Sequence, residues 1–180
     1  MVDESEIGAE RSTTTLTDAK YYMPLKKDEQ DSLDTYSLLS QLGFILSAKE
    51  KLNEKGILIT LIGGRIPSSV IDELFVRADV KAKKLFIAFM KQSDPEFVEQ
   101  YAKIEKQKGA NFMFYDYDKA LKIIENIWGI KVPDIINKEE NEIRDLLQPA
   151  LVNANQAFEL HKQGKDIGHL AYAFYITNRN

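Results

Sequence analysis

Three continuous apolar runs dominate the pattern of the chain: residues 57–62 (ILITLI), 85–90 (LFIAFM) and 112–115 (FMFY). They show little or no alternation of apolar with polar positions. A strand with one wet face alternates, whereas a strand covered on both faces does not, and parallel strands lying beneath helices are the usual covered case. The stretches between the runs have a different period. Val70, Ile71, Leu74, Phe75 and Ala78 recur at helical spacing after the first run, and Phe97, Val98, Tyr101 and Ile104 do so after the second. Leu121, Ile124, Ile127 and Trp128 follow the third in the same way. From Gly56 to Trp128 the pattern therefore reads strand then helix, three times over.

The punctuation agrees with that reading. Gly56, Gly109 and Gly129 each stand between a helix and a strand, where a left-handed cap is wanted. Ser69 with Asp72, and Ser93 with Glu96, have capping-box spacing, and Asp116 or Asp118 can cap the third helix. A preceding helix, capped by Asp31 or Ser32 and running to about Glu54, carries Leu33, Tyr36, Leu39, Gly43, Leu46 and Leu52 on one stripe. Residues 130–132 read as a short fourth strand that Pro133 ends. Crossovers between parallel strands are right-handed in nearly all cases. The expected fold class is α/β: a three-layer, Rossmann-like open parallel sheet of at least three strands.

Beyond Ile136 the period is helical. Asn137 with Glu140 forms a capping pair, and Ile143, Leu146, Leu147, Ala150, Leu151, Ala154 and Phe158 recur at helical spacing through Pro149. A proline inside a helix bends it or splits it. Gly164 ends this helix, and Asp166 can cap a last segment, 167–177 (IGHLAYAFYIT), whose alternation also permits a strand. Next to a long helix and a short turn, a C-terminal helical hairpin is expected. The organisation this gives is a polar N-terminal arm over residues 1–30, an α/β domain over 31–136 and a helical extension over 137–180. The first twenty residues are polar and Thr-rich, a composition that predicts a mobile tail, expected to lie on the domain or on a partner. Tyr21, Tyr22, Met23 and Leu25 read as an extended segment packed on the domain, or as a docking peptide.

Composition narrows the chemistry. The 180 residues are 44% hydrophobic and 29% charged, as in a globular soluble chain. The formal net charge of -4 argues against non-specific nucleic-acid binding, which runs on phosphate neutralisation. With 0 cysteines, thiolate nucleophiles, disulfides and Cys-based zinc sites are excluded. With 2 histidines, His161 and His169, a His-rich metal site is disfavoured, and both read as residues flanking the last turn. The acidic start MVDESEIGAE lacks the features of a secretory signal, and no apolar run reaches the roughly 20 residues of a membrane helix, so the expected location is the cytoplasm. The wealth of Lys, Ile and Glu leans toward thermophile proteomes and equally toward AT-rich genomes.

In an open parallel sheet, ligands sit beyond the carboxyl ends of the strands. The first such end, residues 63–69, has Gly63 and Gly64 to admit close backbone approach. Arg65 can contact a phosphate, and Ser68 and Ser69 lie at a helix start. Ser93 lies at the second end. These six residues are the candidate phosphoanion or nucleotide site, although neither the dinucleotide nor the P-loop glycine pattern is present and Pro67 removes an amide donor. The third end offers Asp116 and Asp118 as candidate Mg²⁺ ligands. This Asp-Tyr-Asp resembles the Asp-x-Asp that toprim-type nuclease domains place after an inner strand, and over those residues alone the resemblance implies phosphoryl chemistry. Such domains also need an acidic residue beyond the first strand, where this chain has Gly63 and Gly64. A von Willebrand A-type site would need Asp-x-Ser-x-Ser there, which residues 62–68 do not supply. Helix capping is the ordinary role for either aspartate. No nucleophile with a nearby base is marked. The leading functional expectation is a non-catalytic binding module, docking on a protein partner or on a second copy of itself. A phosphoanion-binding regulatory domain ranks second and a Mg²⁺-dependent phosphoryl-transfer enzyme third.

Overall fold

The computed structural model describes residues 31–92, 94–129, 135 and 138–179. The arm over 1–30, the strand expected at 130–132, Ser93 and the Asn137 cap lie outside the described residues. Among the described residues seven α-helices and five strands are formed: α1 (Ser32–Thr35), α2 (Leu39–Lys49), β1 (Leu58–Gly63), α3 (Ser68–Arg77), β2 (Val80–Lys91), α4 (Pro95–Lys108), β3 (Phe114–Asp116), α5 (Tyr117–Ile123), α6 (Glu140–Leu147), β4 (Leu151–Val152), α7 (Ala154–Lys162) and β5 (Ile167–Asn178).

The parallel Rossmann-like sheet is not what forms. β5 is the hub of an antiparallel sheet. β1 lies along one of its edges, from Leu58 opposite Ile176 to Gly63 opposite Ala171. β3 continues that edge with Tyr115 opposite Gly168, and β4 pairs outside β3. β2 takes the whole opposite edge, from Val80 opposite Asn178 to Lys91 opposite Gly168. All of these pairings are antiparallel. β1, β2 and β3 consequently run in one direction, yet none is hydrogen-bonded to another. The expected C-terminal helical hairpin fails for the same reason, because its second helix is β5. The segment is rich in Tyr, Phe and Ile, which suit a pleated surface, and Leu170, Tyr172, Phe174 and Ile176 are all buried.

Several local expectations shift with this. The long helix expected through Pro149 is split: α6 stops at Leu147, a 3-10 turn carries the proline, and α7 starts afresh behind an Asn153/Gln156 capping box. The helix expected from 31 to 54 also divides, at Ser37 with φ 58, and α2 ends at Lys49. Gly56 therefore caps nothing and does not take a positive φ. Pro67, not Ser69, precedes α3, with no side-chain cap. Gly109, with φ 68, closes α4 in the left-handed conformation as expected.

The two faces of the sheet are treated differently. On the face of Tyr172 and Phe174, Phe75 of α3 packs with its ring 4.8 Å from that of Phe174. Gln41 of α2 bonds Thr60, Glu140 of α6 accepts from Tyr172, and Tyr117 of α5 stacks on Phe89 at 5.4 Å. On the opposite face, α4 covers β3 through Tyr101, whose ring lies 5.6 Å from that of Phe114. α7 joins it, Glu105 of α4 accepting from the Ala154 and Asn155 amides. Over β1, β2 and the second half of β5, nothing among the described residues lies on this second face. Ile59 is 64% exposed and Leu61 69%, with Ile57, Leu85, Phe86 and Met90 also open. The two-sided burial expected of the apolar runs is thus absent for β1, whose side chains alternate between core and solvent.

Near its start, β5 passes directly beneath the Phe89–Tyr117 stack. A Cβ on Gly168 would stand 2.4 Å from Phe89 Cζ and 3.1 Å from Tyr117 Cδ2. Gly168→Ala is expected to lose about 2–3 kcal/mol of stability by overpacking, read from urea unfolding. A loss below about 0.5 kcal/mol, the level of a neutral surface change, would show that the stack yields freely.

Candidate functional site

Two polar clusters lie near the carboxyl end of β1, one on each face of the sheet. On the covered face, Glu140 at the start of α6 collects four donors. Lys84 Nζ forms an ion pair with it, Ser68 Oγ donates at 2.5 Å, Arg144 Nε at 2.8 Å and the Tyr172 hydroxyl at 2.8 Å. Arg144 also donates to the Tyr172 hydroxyl at 2.6 Å, and Lys84 Nζ lies 4.7 Å from the Tyr172 ring centroid. Burial by itself would raise the Glu140 carboxyl, but Lys84, Ser68, Arg144 and Tyr172 together outweigh it and hold the group at about 2. Burial, the adjacent Glu140 and its hydrogen bond push the Tyr172 phenol well above its ordinary value. No member of this cluster has an idle polar atom among the buried unpaired ones. It pins α6 and the start of α3 to the sheet.

The cluster on the other face is unsatisfied. β1 ends at Gly63, and the Arg65 side chain folds back over it, with Nη1 2.5 Å from where a Gly63 Cβ would be. The guanidinium lies 5.3 Å from the Tyr101 ring centroid and 5.7 Å from that of Phe114. Nη2 donates to Gln92 Oε1 at 2.5 Å. Arg65 Nε is shut off from solvent without a partner. His169 of β5 shares this face, being one residue out of phase with Leu170 and Tyr172. It is 7% exposed, and its Nδ1 has no partner. Burial, with Arg65 close by, drives the His169 pKa well below its ordinary value, so the imidazole is neutral at pH 7.

The candidate residues from the sequence are distributed accordingly. Gly63 and Arg65 come together on the open face. Gly64 is packed against Leu170 and Tyr172, and Ser68 faces Glu140, so the structure does not bring Arg65 and Ser68 together. Ser69 is exposed at the first turn of α3. Asp116 caps α5, accepting from the Lys119 amide at 3.1 Å, and Asp118 is exposed in that first turn. No cluster of three or more His, Asp or Glu side chains suited to a metal exists among the described residues. Sequence reasoning passed over Gln92, and it read His169 only as flanking the last turn and Glu140 only as a capping partner. Nothing in their local pattern marks the roles seen here, since their neighbours come from elements distant in the chain.

No family model matches the chain, and no curated protein is similar to it. No helix among the described residues is long and apolar enough to cross a membrane.

Proposed function

We propose that the protein is a binding module that works through the uncovered face of its sheet, and that the occupant of that face is a second copy of the chain. One observation carries the reading: the runs in β1 and β2 are apolar on both sides, but the described residues cover only one. Such side chains cost solubility unless another surface takes them out of water. The centre of the face is built from Ile59, Leu61, Phe86, Ala173 and Tyr175, aligned in rows by the pairings of Ile59 with Tyr175 and of Leu61 and Phe86 with Ala173. None of these is charged, and Lys83, opposite Tyr175, and Lys81, opposite Thr177, bound the patch at its β2 end on the same face.

Face-to-face stacking suits this surface better than edge addition. The outer edge of β2 carries Lys81, Lys83, Lys84 and Lys91, with a bulge between Lys84 and Phe86. Charge and bulges are how sheet edges resist pairing with further strands. The open apolar side chains amount to roughly 500 Å², at the upper end of the largest patch on a typical monomer, and with a polar rim they approach the ~800 Å² per partner of a standard interface.

The variant Ile59→Lys, Leu61→Ser tests this. Both side chains point to solvent in the monomer, so its fold and circular dichroism should be unchanged. Sedimentation equilibrium should show a dimer for the wild type and at least ~100-fold weaker association for the variant, about 2.7 kcal/mol. A wild type that stays monomeric at hundreds of micromolar overturns the self-docking reading, as does a dimer that the variant leaves intact.

A further inference from the structure

The cluster around Arg65 does not depend on self-association. An arginine is charged at any pH a folded protein meets. Taking its guanidinium out of water is costly unless an anion or several acceptors replace the water. Here Arg65 is half-buried, and its Nε is shut off from solvent. Its acceptors among the described side chains are the neutral amide of Gln92 and the neutral Tyr101 hydroxyl, and the Tyr101 and Phe114 rings flank it. Neither acceptor carries a charge, and Nε is idle. Beside it His169, more than nine-tenths buried, keeps an idle Nδ1. Two nitrogen-bearing side chains thus meet without a carboxylate contacting either of them among the described residues.

The ground in front of them is open and low. Gly63, Ala171 and Ala88 lie in one row across β1, β5 and β2. Their side chains rise no higher than a methyl group, and all three are partly exposed. The guanidinium occupies the Gly63 end of this trough, where any larger residue would strike it. Met90, directly opposite His169, is half exposed, so the trough is reached from the uncovered face. The next row, Leu61, Ala173 and Phe86, is apolar.

We propose that Arg65, His169 and Gln92 form an oxyanion site for a small molecule whose phosphate or carboxylate group sits on the Arg65 fork. The body of that molecule lies along the Gly63–Ala171–Ala88 trough. The anion supplies the counter-charge that Arg65 lacks, and the planar fork takes two of its oxygens side by side. His169 supplies a third contact in the neutral tautomer that carries its proton on Nδ1, which donates to an oxygen of the anion.

The test is an NMR titration of the full chain, following the Arg65 Nε–H and His169 ring resonances at pH 7.5. Inorganic phosphate, acetate and phenyl phosphate are compared with sodium chloride at equal ionic strength. Saturable shifts with millimolar or tighter affinity are expected for at least one of the first two. A preference for phosphate assigns the site to phosphoryl compounds, and a preference for acetate to carboxylates. Arg65→Gln should abolish the response and Arg65→Lys should weaken it at least tenfold, because lysine keeps the charge without the fork. Ala88→Leu should weaken phenyl phosphate and leave inorganic phosphate unchanged. Chloride producing the same shifts as phosphate and acetate overturns the proposal, as does a response that survives in Arg65→Gln. Should Arg65→Gln not fold, Arg65→Lys and His169→Gln decide in its place, and undiminished binding in both overturns it. Saturable binding should persist in the Ile59→Lys, Leu61→Ser variant and still be abolished there by Arg65→Gln, which separates this site from the association reading.

Discussion

Deleting residues 166–180 is expected to abolish folding. β5 hydrogen-bonds with β1, β2 and β3, and no strand pair involving β1 or β2 survives its removal. Leu170, Tyr172, Phe174 and Ile176 leave the core together, each at most 5% exposed in the intact chain. At about 1.5–3 kcal/mol for each fully buried large side chain, the loss is roughly 6–12 kcal/mol, comparable to the whole stability of a domain, about 5–15 kcal/mol. Far-UV circular dichroism and the amide spectrum of residues 1–165 give the readout. Collapsed amide dispersion is expected. A dispersed spectrum with a cooperative melt would mean that the remaining strands find other partners and that β5 is an appendage after all.

The second large effect lies at Glu140. Glu140→Gln leaves the Lys84 and Arg144 charges partly buried without their carboxylate, a change that costs about 3–5 kcal/mol where a buried ion pair loses one partner. The pH dependence has a definite sign. The carboxyl titrates near 4.5 in the unfolded chain and at about 2 in the folded one, so the folded state holds fewer protons between those values. Its contribution is fully present above pH 4.5 and is lost as pH falls toward 2, on the order of 3 kcal/mol in all. The stability gap between wild type and Glu140→Gln should therefore be constant from pH 7 to about 5 and narrow below that. His169 adds a separate acid limb. Its folded pKa is depressed, so stability falls once pH drops below about 6.5, the unfolded histidine value. That limb is shared by wild type and variant and cancels in their difference. Urea unfolding at pH 7, 5 and 3 measures the gap. A gap that does not narrow at pH 3 would show that Glu140 is not the group titrating.

Much of the local structure was legible in the chain. The helical periods around Leu74 and Val98 correspond to α3 and α4, Asp116 caps the helix it precedes, and Gly109 takes the left-handed turn. The three apolar runs overlap β1, β2 and β3. These features depend on residues a few positions apart, and their physics is local: backbone amides seeking an acceptor, apolar stripes at a fixed pitch. Aromatic alternation in residues 167–177 was visible as well, but it satisfied a helix and a strand equally. Only the presence of three strands needing a partner made it β5.

What tertiary structure alone decided is the pairing and the covering. An apolar run records that both of its faces avoid water, and it does not record what keeps water away. For Phe114 one cover is Tyr101 of α4. For Ile59 and Leu61 no described element supplies it, and a run that read as buried under helices is an open surface. The Arg65 site was out of reach of the sequence for a related reason. Arg65 and His169 are distant in the chain, and they meet because β5 runs between β1 and β2 in a register that sets Gly63 opposite Ala171 and Met90 opposite His169. Slipping that register by one residue would turn His169 to the opposite face. The register is held by the buried row of Leu170, Tyr172, Phe174 and Ile176, so packing on one face of the sheet fixes the chemistry on the other.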